Sequence, residues 1–205
     1  MTWEIWMSFA WVSAANIVTP GPANMNTLRR AVQLGGWQVI PTIMGNALGL
    51  AIGGFITAYG VAALVLSSPP LWALLNYTGV AYLVWLGLKL LCAPRDADLR
   101  EDNVSTQMPR KLFIEGLLLA LTNPKALLFY VALFPQVMQP ISPVGPQAAL
   151  LVSTYCGLSI MSLSLYATFA NSLRAFFATP THYQRFRQGS GVILITFALN
   201  LVSWA

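Results

Sequence analysis

The sequence predicts an all-α integral membrane protein of six transmembrane helices, built as two inverted three-helix repeats with helices 1 and 4 broken by proline. Three observations carry this. The 205 residues are 57% hydrophobic and 8% charged, whereas a soluble chain carries about 25% charged residues, so the solvent is lipid. Six apolar segments approach the roughly 20 residues that a span needs. Of the eleven Lys and Arg residues, all but Lys125, which is left inside the membrane, cluster in or beside alternate connections, as the positive-inside rule requires.

The first segment covers residues 3–28 and is interrupted at Pro20, Gly21 and Pro22. Trp3 and Trp6 read as an interfacial anchor of an uncleaved helix, because the N-terminus lacks the basic region of a signal peptide. The second segment, 39–66, carries Gly45, Gly49 and Gly53 four residues apart. Such a stripe lets another helix pack backbone to backbone, from this chain or from a second copy in a homodimer. The third segment covers 71–91, the fourth 112–138, the fifth 147–169 and the sixth 189–204. Tyr77 and Tyr82 read as interfacial or packing rings.

Arg29 and Arg30 follow segment one. Arg95, Arg100, Arg110 and Lys111 lie between segments three and four, and Arg174, Arg185 and Arg187 between five and six. The connections near 67–70 and 139–146 hold no Lys or Arg. The basic connections are therefore assigned to the cytoplasm and both termini to the outside. A polar linker at 93–111 divides the single transmembrane domain, 1–205, into repeats at 1–92 and 112–205. With three spans each, the halves enter the membrane in opposite senses, and each opens with a broken helix. Interrupted segments in corresponding positions are the sequence pointer to a transporter site.

Segment four contains Asn123-Pro124-Lys125. Pro124 deprives the Ala120 carbonyl of its helical donor, and hydrocarbon offers no substitute. A mid-bilayer lysine costs roughly 2.5–3.5 kcal/mol on insertion scales, which a plain anchor has no reason to carry. Lys125 is expected to reach back to the carbonyls of Ala120 and Leu121, since helical side chains lean toward the N-terminus. In one reading it only caps them; in the other it also binds substrate or changes protonation. Asn123 reads as an amide that stabilises the kink. Glu115, the acid well inside a span, is a proton-coupling candidate together with Lys125; the plainer reading pairs it with Lys111, one turn back. Asn46 reads as a cross-helix bond or a cavity residue. His182 reads as solvated in a basic loop.

The ordered motifs Thr19-Pro20-Gly21-Pro22-Ala23-Asn24, Arg29-Arg30, Gly35-Gly36, Gly45-Asn46-Ala47-Leu48-Gly49, Gly79-Val80-Ala81-Tyr82-Leu83-Val84-Trp85-Leu86-Gly87, Asn123-Pro124-Lys125-Ala126 and Phe134-Pro135-Gln136 resemble the lysine/homoserine exporter (LysE/RhtB) superfamily over the whole chain. Asn is frequent in that family where Ala23 stands here. The resemblance implies export of amino acids or their derivatives across the bacterial inner membrane without ATP hydrolysis.

A zwitterionic substrate needs an anion site and a cation site close together, and a broken helix supplies both. The half-helix after Gly21 points N–H groups at a carboxylate. Pro20 and Pro22 free the carbonyls of Asn16 and Val18 for an ammonium. The substrate-binding candidates are thus Pro20, Gly21, Pro22, Asn24, Asn46, Asn123, Pro124 and Lys125. The reading is a secondary exporter, proton-coupled; the alternative is an ion or metabolite channel without coupling. An enzyme is disfavoured, because one His and two cysteines in different segments, Cys92 and Cys156, supply neither a nucleophile with a base nor a metal set. No cofactor, metal or nucleic-acid partner is expected; the partners are membrane lipid and the substrate.

Overall fold

Prolines set most of the helix starts. In the computed structural model, which describes residues 1–67, 69–92, 108–139 and 142–202, the described residues form nine α-helices. These are α1 (Trp3–Val18), α2 (Pro22–Leu34), α3 (Ile40–Ser67), α4 (Pro69–Cys92), α5 (Pro109–Thr122), α6 (Pro124–Val137), α7 (Val144–Thr168), α8 (Ala170–Ala178) and α9 (Pro180–Val202). Five of them begin with proline, whose fixed φ suits a first helical turn and whose missing N–H would have no partner there. A short 3-10 turn, Gly36–Val39, leads into α3. Gly35 before it has φ +96, a conformation that glycine adopts without strain.

Prolines also end helices, because a residue before proline is pushed out of the helical region. Thr19 precedes Pro20 and turns to ψ 127; Asn123 precedes Pro124 and turns to ψ 104. Gly21 is extended, at φ −149 and ψ −178. Segment one is therefore α1 and α2 with a non-helical crossing between. Segment four is α5 and α6, bent by 48°. Among the described residues, two stretches are long and apolar enough to span by themselves, Gly36–Ala63 and Val144–Thr168, and the α5–α6 pair passes as one bent span. Tyr77–Cys92 is a shorter apolar helix. Most of the expected linker at 93–111 lies outside the described residues.

Helix α3 packs on α5 through its glycine stripe. A β-carbon on Gly45 would collide with the Phe113 carbonyl, and one on Gly49 would lie 2.7 Å from both Ala120 Cβ and Leu117 O. From the other side, Gly116 meets the Thr42 carbonyl. The stripe is thus covered within the chain. Helices α4 and α9 meet similarly, at Gly87 and Gly191. Between α1, α6 and α7 the core is aromatic: Tyr130 lies 4.7 Å from Tyr155 and 4.9 Å from Phe134, ring centre to ring centre, and Phe134 packs on Phe9.

The expected connection between segments five and six is instead helical, made of α8 and the first turns of α9. Its charge made it read as a loop, but long basic side chains can bury their stems. Arg187 is buried and donates from Nε to the Leu90 carbonyl at 2.8 Å. His182, exposed, stacks on Phe176 at 4.7 Å. Lys125 is therefore not alone among basic residues in leaving the solvent, since Arg30 is buried too.

Candidate functional site

The last four carbonyls of any helix lack partners within it, and α1 ends inside the protein. All of them are satisfied, by the C-cap Thr19 and by donors from three other helices. Ala15 O accepts from the Thr19 backbone N–H at 3.3 Å and from its hydroxyl at 2.6 Å. Asn16 O accepts from Lys125 Nζ at 2.6 Å. Ile17 O accepts from Asn24 Nδ2 at 2.8 Å. Val18 O accepts from the Tyr166 hydroxyl at 2.9 Å and from Asn24 Nδ2 at 3.4 Å. Lys125 Nζ also donates to Thr19 O at 2.9 Å.

This corrects two expectations. Lys125 does not reach back to Ala120 and Leu121; it crosses to the break in the other half of the chain. The Ala120 carbonyl is satisfied locally, by the Asn123 N–H at 3.3 Å, so the lysine is free to leave its own helix. The carbonyls of Asn16 and Val18 are not open to a ligand as they stand, because Lys125, Asn24 and Tyr166 occupy them.

The two half-helix starts differ. Asn123 caps α6, its Oδ1 accepting from the Lys125 backbone N–H at 3.1 Å. Gly21 offers α2 no side-chain cap. The lysine stem runs beside Gly21, where a β-carbon would lie 3.4 Å from both Cδ and Nζ.

A cavity of about 30 Å³ lies at this junction, room for roughly two waters and not for an amino acid. It is lined by Asn24, Asn46, Asn123 and Lys125 from the expected set, together with Asn16, Tyr155 and Ser159. Asn16 Nδ2 donates to the Tyr155 hydroxyl at 3.0 Å, and Asn46 Nδ2 to Ser159 Oγ at 3.2 Å. Asn16 Oδ1 is buried without a partner. Asn46 therefore both bonds across helices and lines the cavity. Gly21 lines it as well; Pro20, Pro22 and Pro124 do not, and act by shaping the two breaks.

Glu115 lies outside the cavity. Its partner is Arg30, not the expected Lys111. Arg30 Nη2 donates to Oε2 at 2.8 Å and Nε to Oε1 at 3.3 Å, the two-pronged geometry that a guanidinium fork favours. The pair ties α2 to α5. Among the five buried hydroxyls without a partner in the described residues are those of Thr27, Thr42 and Ser162. Each sits one helical turn from a cavity residue on its own helix: Thr27 from Asn24, Thr42 from Asn46, Ser162 from Ser159. Asn16, Arg30, Tyr155, Ser159 and Tyr166 were missed as side chains by sequence reasoning. For all but Arg30, which follows segment one, the signal was present, as polar groups inside apolar segments.

The model of the LysE type translocator family matches residues 14–204. The chain belongs to this family. Among relatives of this LysE-type chain, the homoserine/homoserine lactone efflux protein of Salmonella typhimurium is 29% identical over 203 residues, covering 99% of this chain and 98% of its own. The leucine efflux protein of Salmonella choleraesuis is 33% identical over 154 residues, covering 72% and 73%. An uncharacterized membrane protein of Vibrio cholerae is 28% identical, covering 94% and 97%. No solved structure matches the chain. With its apolar helices, the family makes this a multi-pass membrane protein of the translocator kind.

Proposed function

We propose that this LysE-type chain is a secondary exporter of zwitterionic amino acids or amino-acid-like metabolites across the bacterial inner membrane, driven by proton exchange. The observation that carries the reading is Lys125 of one broken helix sealing the end of the other beside a small polar cavity. An α-amino acid presents the two charges that such a junction can receive: a carboxylate for the lysine and the open start of α2, and an ammonium for carbonyl and amide oxygens. The efflux proteins among the relatives support amino-acid export.

In this reading the chain spans the membrane six times as two inverted three-helix repeats, with both termini outside. The α1–α2 and α5–α6 pairs are the first span of each repeat. The packing supports an exchange between halves: α5 and α6 pack on α3, α1 and α2 on α7, while α3 meets α7 and α4 meets α9. A two-fold axis in the membrane plane would produce this pattern. Thr27, Thr42 and Ser162 extend the polar lining from the cavity toward the cytoplasm, and Arg30 with Glu115 closes it there. Glu115 and Lys125 are the groups through which protons would couple.

Counterflow in proteoliposomes with a panel including homoserine and leucine tests the proposal. Transient uptake of a labelled amino acid against its own unlabelled pool is expected, with accumulation when a pH gradient is imposed. An inserted protein that exchanges no member of the panel would refute export. Saturation-free flux that ignores the opposite pool would indicate the uncoupled channel instead.

A further inference from the structure

A primary ammonium has three N–H donors, and the end of α1 offers three oxygens beside the cavity. Two are the carbonyls of Asn16 and Thr19, which hold Lys125 Nζ at 2.6 and 2.9 Å. The third is Asn16 Oδ1, buried without a partner on a residue that lines the cavity. These oxygens sit at a helix C-terminus, where the partial charge is negative. This end of α1 already holds one ammonium, that of the protein's own lysine.

We infer that this is the substrate's ammonium subsite, and that Lys125 is a tethered stand-in for the substrate. This inference rests on the exporter reading above and specifies its site. When a zwitterion enters, its ammonium takes over the carbonyls and Asn16 Oδ1. The displaced Lys125 ammonium then pairs with the substrate carboxylate. The site holds a net charge of +1 before and after, so neither a bare cation nor a bare anion is left in the membrane interior, where it would be expensive. The lysine is a compact charge on a flexible stem, and Gly21 beside it carries no side chain. The remaining groups that cap α1 are neutral: Thr19, Asn24 and Tyr166.

The exchange sets the substrate class. An α-amino acid brings both charges. An amine without a carboxylate would place two cations together, and an N-acylated acid has no ammonium with which to displace the lysine. Both are refused while Lys125 is protonated.

The test is amine rescue on the full-length protein in detergent. Lys125→Ala leaves a gap of three carbons and an ammonium, the shape of n-propylammonium. Millimolar n-propylammonium chloride is expected to raise the melting temperature of Lys125→Ala by several degrees and saturably. It should leave wild type unmoved, and tetramethylammonium, which has no N–H, should have no effect on either. A variant lost on extraction without the amine should survive with it. No response of Lys125→Ala to n-propylammonium, or loss of the variant with and without it, would overturn the inference.

A second measurement needs no variant. In wild-type proteoliposomes, counterflow of labelled leucine or homoserine should be competed by the unlabelled amino acid. At equal concentration its amide and its N-acetyl derivative should not compete. Competition by either derivative contradicts the exchange. If neither amino acid exchanges at all, the exporter reading is what has failed, and the amine response of Lys125→Ala still decides whether α1 ends in an ammonium subsite.

Discussion

Lys125 Nζ lies 2.6 Å from the carbonyl oxygen of Asn16, across 109 residues of sequence. The carbonyl is the one that Pro20 leaves without its helical donor, and the lysine follows the proline that breaks the other helix. Each break thus supplies what the other lacks: α1 an unpaired acceptor, α6 a donor that its own helix does not need.

Lys125→Arg keeps a positive charge and N–H donors but replaces a point ammonium with a planar fork. The two carbonyls, at 2.6 and 2.9 Å from a single nitrogen, do not match that fork. The variant should lose most counterflow while its melting temperature falls less than that of Lys125→Ala. Both quantities can be read on one detergent preparation and its proteoliposomes.

Asn24 donates to the carbonyls of Ile17 and Val18. Asn24→Asp should be the worse of two substitutions, because an ionised carboxylate only accepts hydrogen bonds and would face oxygens. Asn24→Ala should lose roughly 1–3 kcal/mol through the orphaned Ile17 carbonyl, since Val18 O keeps the Tyr166 hydroxyl, and Asn24→Asp more. Chemical or thermal denaturation in detergent gives the order; a more stable Asp variant would contradict the assignment of the donor.

The helix breaks were legible in the sequence because proline, glycine and lysine are costly inside an apolar segment, and each cost marks a position. The glycine stripe was legible for the same reason, though not its partner. What could not be read was how the breaks engage one another. Spacing along a helix reveals neighbours three or four residues away, so Lys125 was assigned to Ala120 and Leu121 and Glu115 to Lys111. The partners found, Asn16 and Arg30, are 109 and 85 residues distant. Charge also misled, since Arg30 and Arg187 were assigned to cytoplasmic connections yet are buried against a carboxylate and a carbonyl.

Glu115→Gln removes the charge that faces the buried Arg30 fork. Hydrogen bonds to charged groups contribute about 1.5–3 kcal/mol, and a loss of that order is expected in the melting of the variant. Arg30→Gln in the same background should then add little, because the two side chains form one interaction. Fully additive losses in the double variant would break the pair as a unit.

Gly45→Ala puts a methyl into the Phe113 carbonyl, and backbone cannot yield as a flexible side chain would. A destabilisation of about 1–3 kcal/mol is expected from the overpacking, whereas Gly157→Ala, with nothing within 4 Å of the added carbon, should be neutral. Equal melting temperatures for the two variants would contradict the close packing of α3 on α5.

Thr27→Val and Thr42→Val remove hydroxyls that are buried without a partner. Because no bond is lost, neither should lower the melting temperature, and relief of the buried hydroxyl should raise it slightly. A fall of several degrees would mean that these hydroxyls are bonded.

Counterflow by Lys125→Met beside wild type, at matched incorporation into liposomes, bears most directly on the role given to the lysine. The expected result is exchange of an amino acid by wild type and none by Lys125→Met, in a variant that still inserts and extracts as a folded protein. Normal counterflow by Lys125→Met would remove Lys125 from the transport site and leave it as a brace between two broken helices.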